Sequence, residues 1–290
     1  MKRIITPGTL PTKDLHQYMI GAVAPRPIAF VSTIDEKGED NLAPYSFFNA
    51  FSSNPPIVVF SSNRRVSNNT TKDTLHNIEI NGELVVNVVN YNIVRQMSIS
   101  SAEYPSGVDE FVKSGLTKVQ ASIVKAKLVA ESPVNMECRV KDIIALGDQG
   151  GAGHLIICDV LCMHIDENVL DGDRIDPHKI DLMGRMGRTF YVRASGNAVS
   201  SIYQPVTDLP VGFDALPSYI SSNRYLTGNQ IAMMAGLNAL PPAETFVPIT
   251  SAQLEADEVE ITESVSKLLA DNQVNEAFGL MVQYYEKNGA

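Results

Sequence analysis

The sequence predicts an antiparallel β-barrel of the α+β class, mainly β with inserted helices. Two observations predict it. Six or so short segments rich in branched residues are separated by turn signals, and no regular strand–helix alternation runs along the chain.

Taken in order, "RPIAFVSTIDEKGEDNLAPYSF" from Arg26 reads as a strand, a polar turn around Gly38 and a second strand. "PPIVVFSS" from Pro55 is a short buried strand, entered through prolines that cannot donate ladder hydrogen bonds. Asp73 or Thr71 is then placed to cap a short helix carrying Leu75, Ile78 and Ile80. Gly82 can end it in the left-handed conformation before a strand over Leu84 to Val89. "NIVRQMSISSAEYP" and "VDEFVKSGL" are two short helices, the second stopped by Gly115. Strands follow at "ASIVKAKLVAES", "VNMECRVKDIIALG" and "HLIICDVLCMHID", with "GDQGGAG" as a hairpin connection between the last two. From about Gly196, six prolines break the chain into short pieces, which reads as an arm wrapping a surface rather than a second core. The final stretch carries Val265, Leu268, Leu269, Ala277, Met281 and Tyr284 on a helical stripe. The expected division is a barrel over 1–195 and, over 196–290, an arm and helix packing on the barrel or a dimer partner.

Composition narrows the function. With 44% hydrophobic and 19% charged residues, the 290-residue chain belongs with ordinary globular proteins. A formal charge of -10 argues against sequence-independent binding of nucleic acid, which needs lysine and arginine to neutralise phosphates. No apolar run is long enough to span a bilayer, and "MKRIITPGTLPTKD" lacks the apolar core of a signal peptide. Three cysteines make no disulfide framework, so a reducing, cytoplasmic setting is expected.

Several chemistries can be set aside. Cys158, Cys162 and His164 share a parity, yet the outer two lie roughly 20 Å apart along a strand, too far for one zinc ion to collect them. The expectation is buried thiols and a surface histidine. There is no Gly-x-Ser-x-Gly elbow, and "GDQGGAG" precedes a strand instead of linking a strand to a helix, so neither a serine nucleophile nor a dinucleotide fold is indicated.

Two stretches remain. "NLAPYSFFNAFSSNPP" sets Tyr45, Phe47, Phe48 and Phe51 among hydroxyls and amides without a clean strand or helix period. Flat rings with polar neighbours suit a planar, polar-edged ligand, and irregular core packing fits the same residues. "FSSNRRVSNNTTKDT" then runs from a strand end into a helix N-terminus, where exposed N–H groups favour an anion. Ser61, Ser62, Arg64, Lys72 and Thr74 can donate there, with Asp73 orienting the helix end; a plain surface loop is the alternative. Together the two stretches offer a site for a flat ring joined to a phosphate tail.

"APRPIAFVST", "NLAPYSFFNAFSSNPPIVVFS", "KDTLHNI" with "NGELVVNVV", "MECRV" and "HLIICDVLCMHID" follow one another in the order of the flavin reductase-like family, which the chain resembles from roughly Leu15 to Tyr191. "YLTGNQIAMMAGLNALPP" looks like the C-terminal extension of a longer subgroup. The resemblance implies an FMN-binding split β-barrel of Greek-key type, working as a homodimer with flavin near the subunit interface. It places Ser46, Phe47, Phe48 and Asn49 beside the isoalloxazine. It places Ser61, Ser62, Arg64, Lys72, Asp73 and Thr74 at the ribityl and phosphate, and His154 near the nicotinamide.

The implied reaction is NAD(P)H:flavin reduction, hydride passing from C4 of NADH or NADPH to N5 of FMN, with FAD as the alternative flavin. A flavin-dependent monooxygenase would be a fitting partner. Two other readings share the barrel: an FMN-binding homodimer with little nicotinamide turnover, and a pyridoxamine-phosphate-oxidase-like protein. Departures from the family pattern are Cys158, where many members carry glycine, and Arg188, which replaces the second glycine of an Arg-x-Gly-Gly motif.

Overall fold

A computed structural model describes residues 1–202, 204 and 207–289. The chain divides into two compact units, Met1–Ser200 and Ser201–Ala290.

In the first unit, α1 (Thr12–Ala22) leads into β1 (Ala29–Ile34), β2 (Asp40–Tyr45), β3 (Phe48–Ser53) and β4 (Pro56–Asn63). Then come α2 (Asp73–Asn81), β5 (Glu83–Val88), α3 (Val94–Ile99) and α4 (Glu110–Ser114). Two-residue strands β6 (Lys118–Val119) and β7 (Leu128–Val129) precede the long hairpin of β8 (Val134–Ala145) and β9 (Gly153–Ile165). Short ladders of β10 (Leu170–Asp171) with β11 (Arg174–Ile175), and of β12 (Met183–Arg185) with β13 (Tyr191–Arg193), finish it.

Seven strands form one antiparallel sheet in the order β2-β1-β5-β8-β9-β4-β3. Its two edges, β2 and β3, are joined by only Ser46 and Phe47, so the sheet must curl until its edges meet at that corner. Among the described residues no ladder closes the edges elsewhere. Inward-facing residues alternate along the strands: Ala29 and Val31, Val58 and Phe60, Leu84 and Val86, Ile156 and Cys158 form one apolar cluster, closed by Leu75 and Ile78 of α2. Phe30 and Leu42 face the other way onto Met97 of α3 and Phe111 of α4. β1 is thus buried on both faces, which is why "IAFV" is apolar without interruption.

Three local expectations need correction. Neither Asp73 nor Thr71 caps α2: Lys72 occupies the N-cap with no side-chain bond, and Asp73 is the first helical residue, its charge favourable to the helix dipole. Gly82 does end that helix, at φ 66°, while Ile80 is exposed. The segment "ASIVKAKLVAES" forms a strand only at Leu128–Val129. Upstream, the N–H groups of Ser122, Ile123 and Val124 donate to the Glu137 carboxylate at 2.8, 2.6 and 2.9 Å, so they need no strand partner. Ala121, Val124 and Ala126 still bury themselves against Val85. The third is His164, expected at the surface: its Nε2 lies 2.6 Å from Glu137 Oε1, with two thirds of its side chain buried. Burial pushes the Glu137 carboxyl up, but His164 and the three N–H donors outweigh it and hold the group down at about 2.

The second unit contains α5 (Ser218–Ser221), α6 (Gly228–Ala235), α7 (Ser251–Glu255), α8 (Glu258–Ala270) and α9 (Val274–Lys287). It has a core of its own, with Ile220, Met234, Ile261, Val265, Leu269, Ala277 and Met281 buried together, where an arm without one was expected. Pro217 does not break structure there; it stands at the N-cap of α5, where a missing N–H costs nothing. Capping boxes at Thr227/Gln230, Thr250/Gln253 and Asp257/Glu260 start α6, α7 and α8. The C-terminal stripe is carried by two helices, with Asn272 in the left-handed conformation between them. Among the described residues no helix is long and apolar enough to cross a membrane.

Candidate functional site

The corner where the sheet closes holds a cleft of about 570 Å³. Ser46 and Phe47 reach it from the β2–β3 turn, and Phe48, Asn49 and Phe51 from β3. Alternation along β4 supplies Val59, Ser61 and Asn63, while β9 supplies Gly153 and Leu155. Met19 and Val23 close it from α1 and its C-cap. The aromatic stretch thus forms a strand, irregular at Ala50/Ser52, and most of β3 is exposed, which accounts for its broken sequence period. Gly153 is required by close approach: a Cβ there would meet Ser61 Oγ, which is fixed by a 3.0 Å bond to Asn63.

Arg26 lines the same cleft, and nothing in the sequence reading singled it out. It is 6% exposed. Its Nη1 donates to Ile20 O at 2.7 Å and to Val23 O, its Nη2 to Met186 O at 3.2 Å and its Nε to Ser46 Oγ at 3.4 Å. The guanidinium therefore fastens the end of α1, the β2–β3 turn and the β12–β13 hairpin together, with Phe47 5.7 Å away. Burial, and then Arg185, lower its pKa, and it is in no ion pair among the described residues. A usable signal was its place between Pro25 and Pro27 at the mouth of a buried strand, a poor place for an ordinary solvated base.

A second cavity of about 90 Å³ lies at the N-terminus of α2. Lys72, Asp73 and Thr74 line it with Arg65, Ser100 and Glu110. Lys72 Nζ sits 4.8 Å from the centre of the Tyr45 ring, and burial first, then Arg65, lowers its pKa. The Ser100 Oγ is buried and has no hydrogen-bond partner among the described residues. Burial also pushes the Tyr45 hydroxyl up to about 12, against the influence of the nearby Thr74 and Ser62 hydroxyls, and it makes no bond of ordinary geometry.

The expected site residues thus divide. Ser46, Phe47, Phe48, Asn49 and Ser61 meet in the large cleft, and Lys72, Asp73 and Thr74 in the small one. Ser62 points to the opposite face of β4, buried with its Oγ unpartnered. Arg64 lies in neither cavity, since Asn69 takes its Nε and Nη2 at 2.7 Å each. His154 is also in neither: it pairs with Ser62 across β4 and β9, its Nδ1 3.2 Å from Ser62 O, while its neighbours Gly153 and Leu155 face the large cleft. A slot of aromatic faces and amide edges, with one buried cation and a polar anion-sized hollow, suits a flat conjugated ligand carrying negative charge.

Such a site on a split barrel defines a flavin-handling class. Residues 21–178 match the flavin reductase like domain, more than half of the chain, and the chain belongs to that family. The match lies wholly within the first unit. An uncharacterised protein of Aquifex aeolicus (strain VF5) is 36% identical over 183 residues, covering 63% of this chain and 91% of its own. Among solved structures, nitrilotriacetate monooxygenase component B from Bacillus cereus is 27% identical with a TM-score of 0.65, covering 70% of this chain and 98% of that one. The 2-nitrobenzoate 2-nitroreductase of Pseudomonas fluorescens is 25% identical with a TM-score of 0.62, covering 72% and 100%.

Proposed function

We propose that this protein is a flavin-dependent oxidoreductase, a cytoplasmic NAD(P)H:flavin reductase that binds FMN in the Phe47–Phe48 cleft and works as a homodimer. The observation that carries the reading is Arg26: its N–H groups are taken by protein oxygens, but no carboxylate offsets its charge among the described residues, and positive charge on the wall of an aromatic slot favours an electron-rich, anionic guest. The unpartnered Ser100 hydroxyl, in the hollow at the start of α2, fits a polar, anionic part of such a guest.

When bound, the flavin supplies the hydride-accepting chemistry. The chain's part is to hold and to shield. Phe47 and Phe48 exclude water from the ring, backbone amides over 46–49 meet its polar edge, and Arg26 supplies positive charge. Lys72 and Thr74, at the start of α2, would take the phosphate. Phe51, 68% exposed on edge strand β3 at the cleft rim, supports a second copy covering this region. The likeness to a monooxygenase component B supports a partner monooxygenase as consumer of the product.

Purified protein should bind one flavin per chain, and NADH or NADPH should bleach its yellow absorbance within a stopped-flow trace. A second reading, an FMN-binding dimer with little turnover, is favoured by one observation: His154, the residue expected near a nicotinamide, does not face the cleft. Flavin-loaded protein inert to both nicotinamides would decide for it.

A further inference from the structure

On the far half of the β8–β9 hairpin, three donors of different chemistry converge. Glu137 of β8 is paired in register with Cys162 of β9, and His164 follows two residues on, so all three side chains share one face of the sheet. His164 Nε2 lies 2.6 Å from Glu137 Oε1 and 3.9 Å from Cys162 Sγ, and the three donor atoms all fall within 4.8 Å of one another.

A thiol, an imidazole and a carboxylate in a row suggest a nucleophile relay. The geometry excludes it. A relay needs the thiol at one ring nitrogen and the carboxylate at the other, so that a proton can enter at one side while the charge is steadied at the opposite side. Here Sγ and Oε1 both approach the same atom, Nε2. Convergence of three donors on one point is instead how a chelate is built.

We propose that Glu137, Cys162 and His164 form a binding site for a single Zn²⁺ or similar borderline-soft divalent cation. Sulfur, nitrogen and oxygen donors together select such an ion over magnesium or calcium, which want oxygen alone. With bond lengths of about 2.0–2.3 Å, a tetrahedral ion sets its donors roughly 3.5 Å apart. The observed separations bracket that value, and the two residues that must adjust, Cys162 and His164, are half-buried and free to do so. Glu137 is the fixed member, its carboxylate held in place by the Ser122, Ile123 and Val124 N–H groups. Cys158, excluded by strand distance, is replaced in the set by Glu137 from the neighbouring strand.

The test is a Co²⁺ titration of the full-length protein after chelator treatment, under reducing conditions. One equivalent per chain should develop the visible absorption of tetrahedral Co²⁺ with a thiolate charge-transfer band, and Zn²⁺ should displace both. Cys162→Ser should abolish the charge-transfer band, and His164→Ala should weaken Co²⁺ binding by about tenfold or more. Zn²⁺ should raise the melting temperature of the parent protein and leave that of Cys162→Ser unmoved. Cys138 and Cys158 are fully buried, so a thiolate band that survives in Cys162→Ser, or no band in the parent protein, would overturn the proposal.

Discussion

Gly153 lies beneath Ser61 so closely that a Cβ on the glycine would come 2.5 Å from the serine Oγ. The pair belongs to β9 and β4, and both residues face the large cleft. Gly153→Ala must displace the Ser61 hydroxyl and disturb its bond to Asn63 on the cleft wall. We expect a loss of about 1–3 kcal/mol of stability, read from the urea midpoint, and a clear fall in FMN affinity. Unchanged flavin binding would mean that this wall does not touch the ligand.

Arg26 spends its donors on four different residues, and a lysine cannot reproduce that planar fork. Arg26→Lys should keep the charge yet lose the fastening of α1 to the β2–β3 turn. The expected cost is about 1.5–3 kcal/mol, the worth of a hydrogen bond to a charged group, by chemical denaturation. Weakened FMN binding in titration would accompany it.

Arg188 adopts φ 56°, in the left-handed region that favours glycine, at the tip of the β12–β13 hairpin. A side chain in this conformation costs backbone strain of roughly 1 kcal/mol that a glycine would not carry. Arg188→Gly should raise the melting temperature slightly; a lowered one would show that the side chain contributes contacts exceeding the strain.

Glu110 is buried, and burial raises its pKa despite bonds from Leu42 N at 3.0 Å and Asn41 Nδ2 at 3.1 Å. A carboxyl raised in the folded state favours folding while protonated. That contribution is complete below the unfolded value and is lost as pH rises through the folded one. Glu110→Gln removes this loss, so the stability of the variant relative to the parent should climb from acid to neutral pH. Melting curves across that range test the sign, and a flat difference would place the charge in solvent.

Much of the barrel was legible because its strands carry local signals: apolar runs for β1 and β4, Gly82 and Gly115 as stops, "GDQGGAG" as a hairpin. The aromatic stretch was not legible as a strand, since β3 is a bulged and largely exposed edge whose side chains line the cleft. Two things were illegible for one reason, that they depend on partners distant in sequence. Glu137 supplies acceptors that relieve residues 122–124 of strand pairing. Arg26 finds Met186, 160 positions away. Ser61 and Ser62 part to opposite faces of β4, which the strand reading of "PPIVVFSS" already implied although the anion site grouped them together.

Pro217 misled because a proline marks a helix start as well as an arm, while Pro205 lies outside the described residues, and this leads to a prediction about folding units. Residues 211–285 hold a buried cluster that includes Ile220, Met234, Val265, Leu269 and Met281. Gly279 lets the Phe246 ring pack directly on α9, since a Cβ there would lie 2.8 Å from the ring. Burying each such large side chain contributes about 1.5–3 kcal/mol, and three capping boxes fix where helices begin. A fragment of residues 201–290 should therefore show helical circular dichroism and a cooperative thermal transition. Gly279→Leu within the fragment, by displacing Phe246, should lower that transition. A fragment with no transition at all would mean that these helices need the rest of the chain to fold.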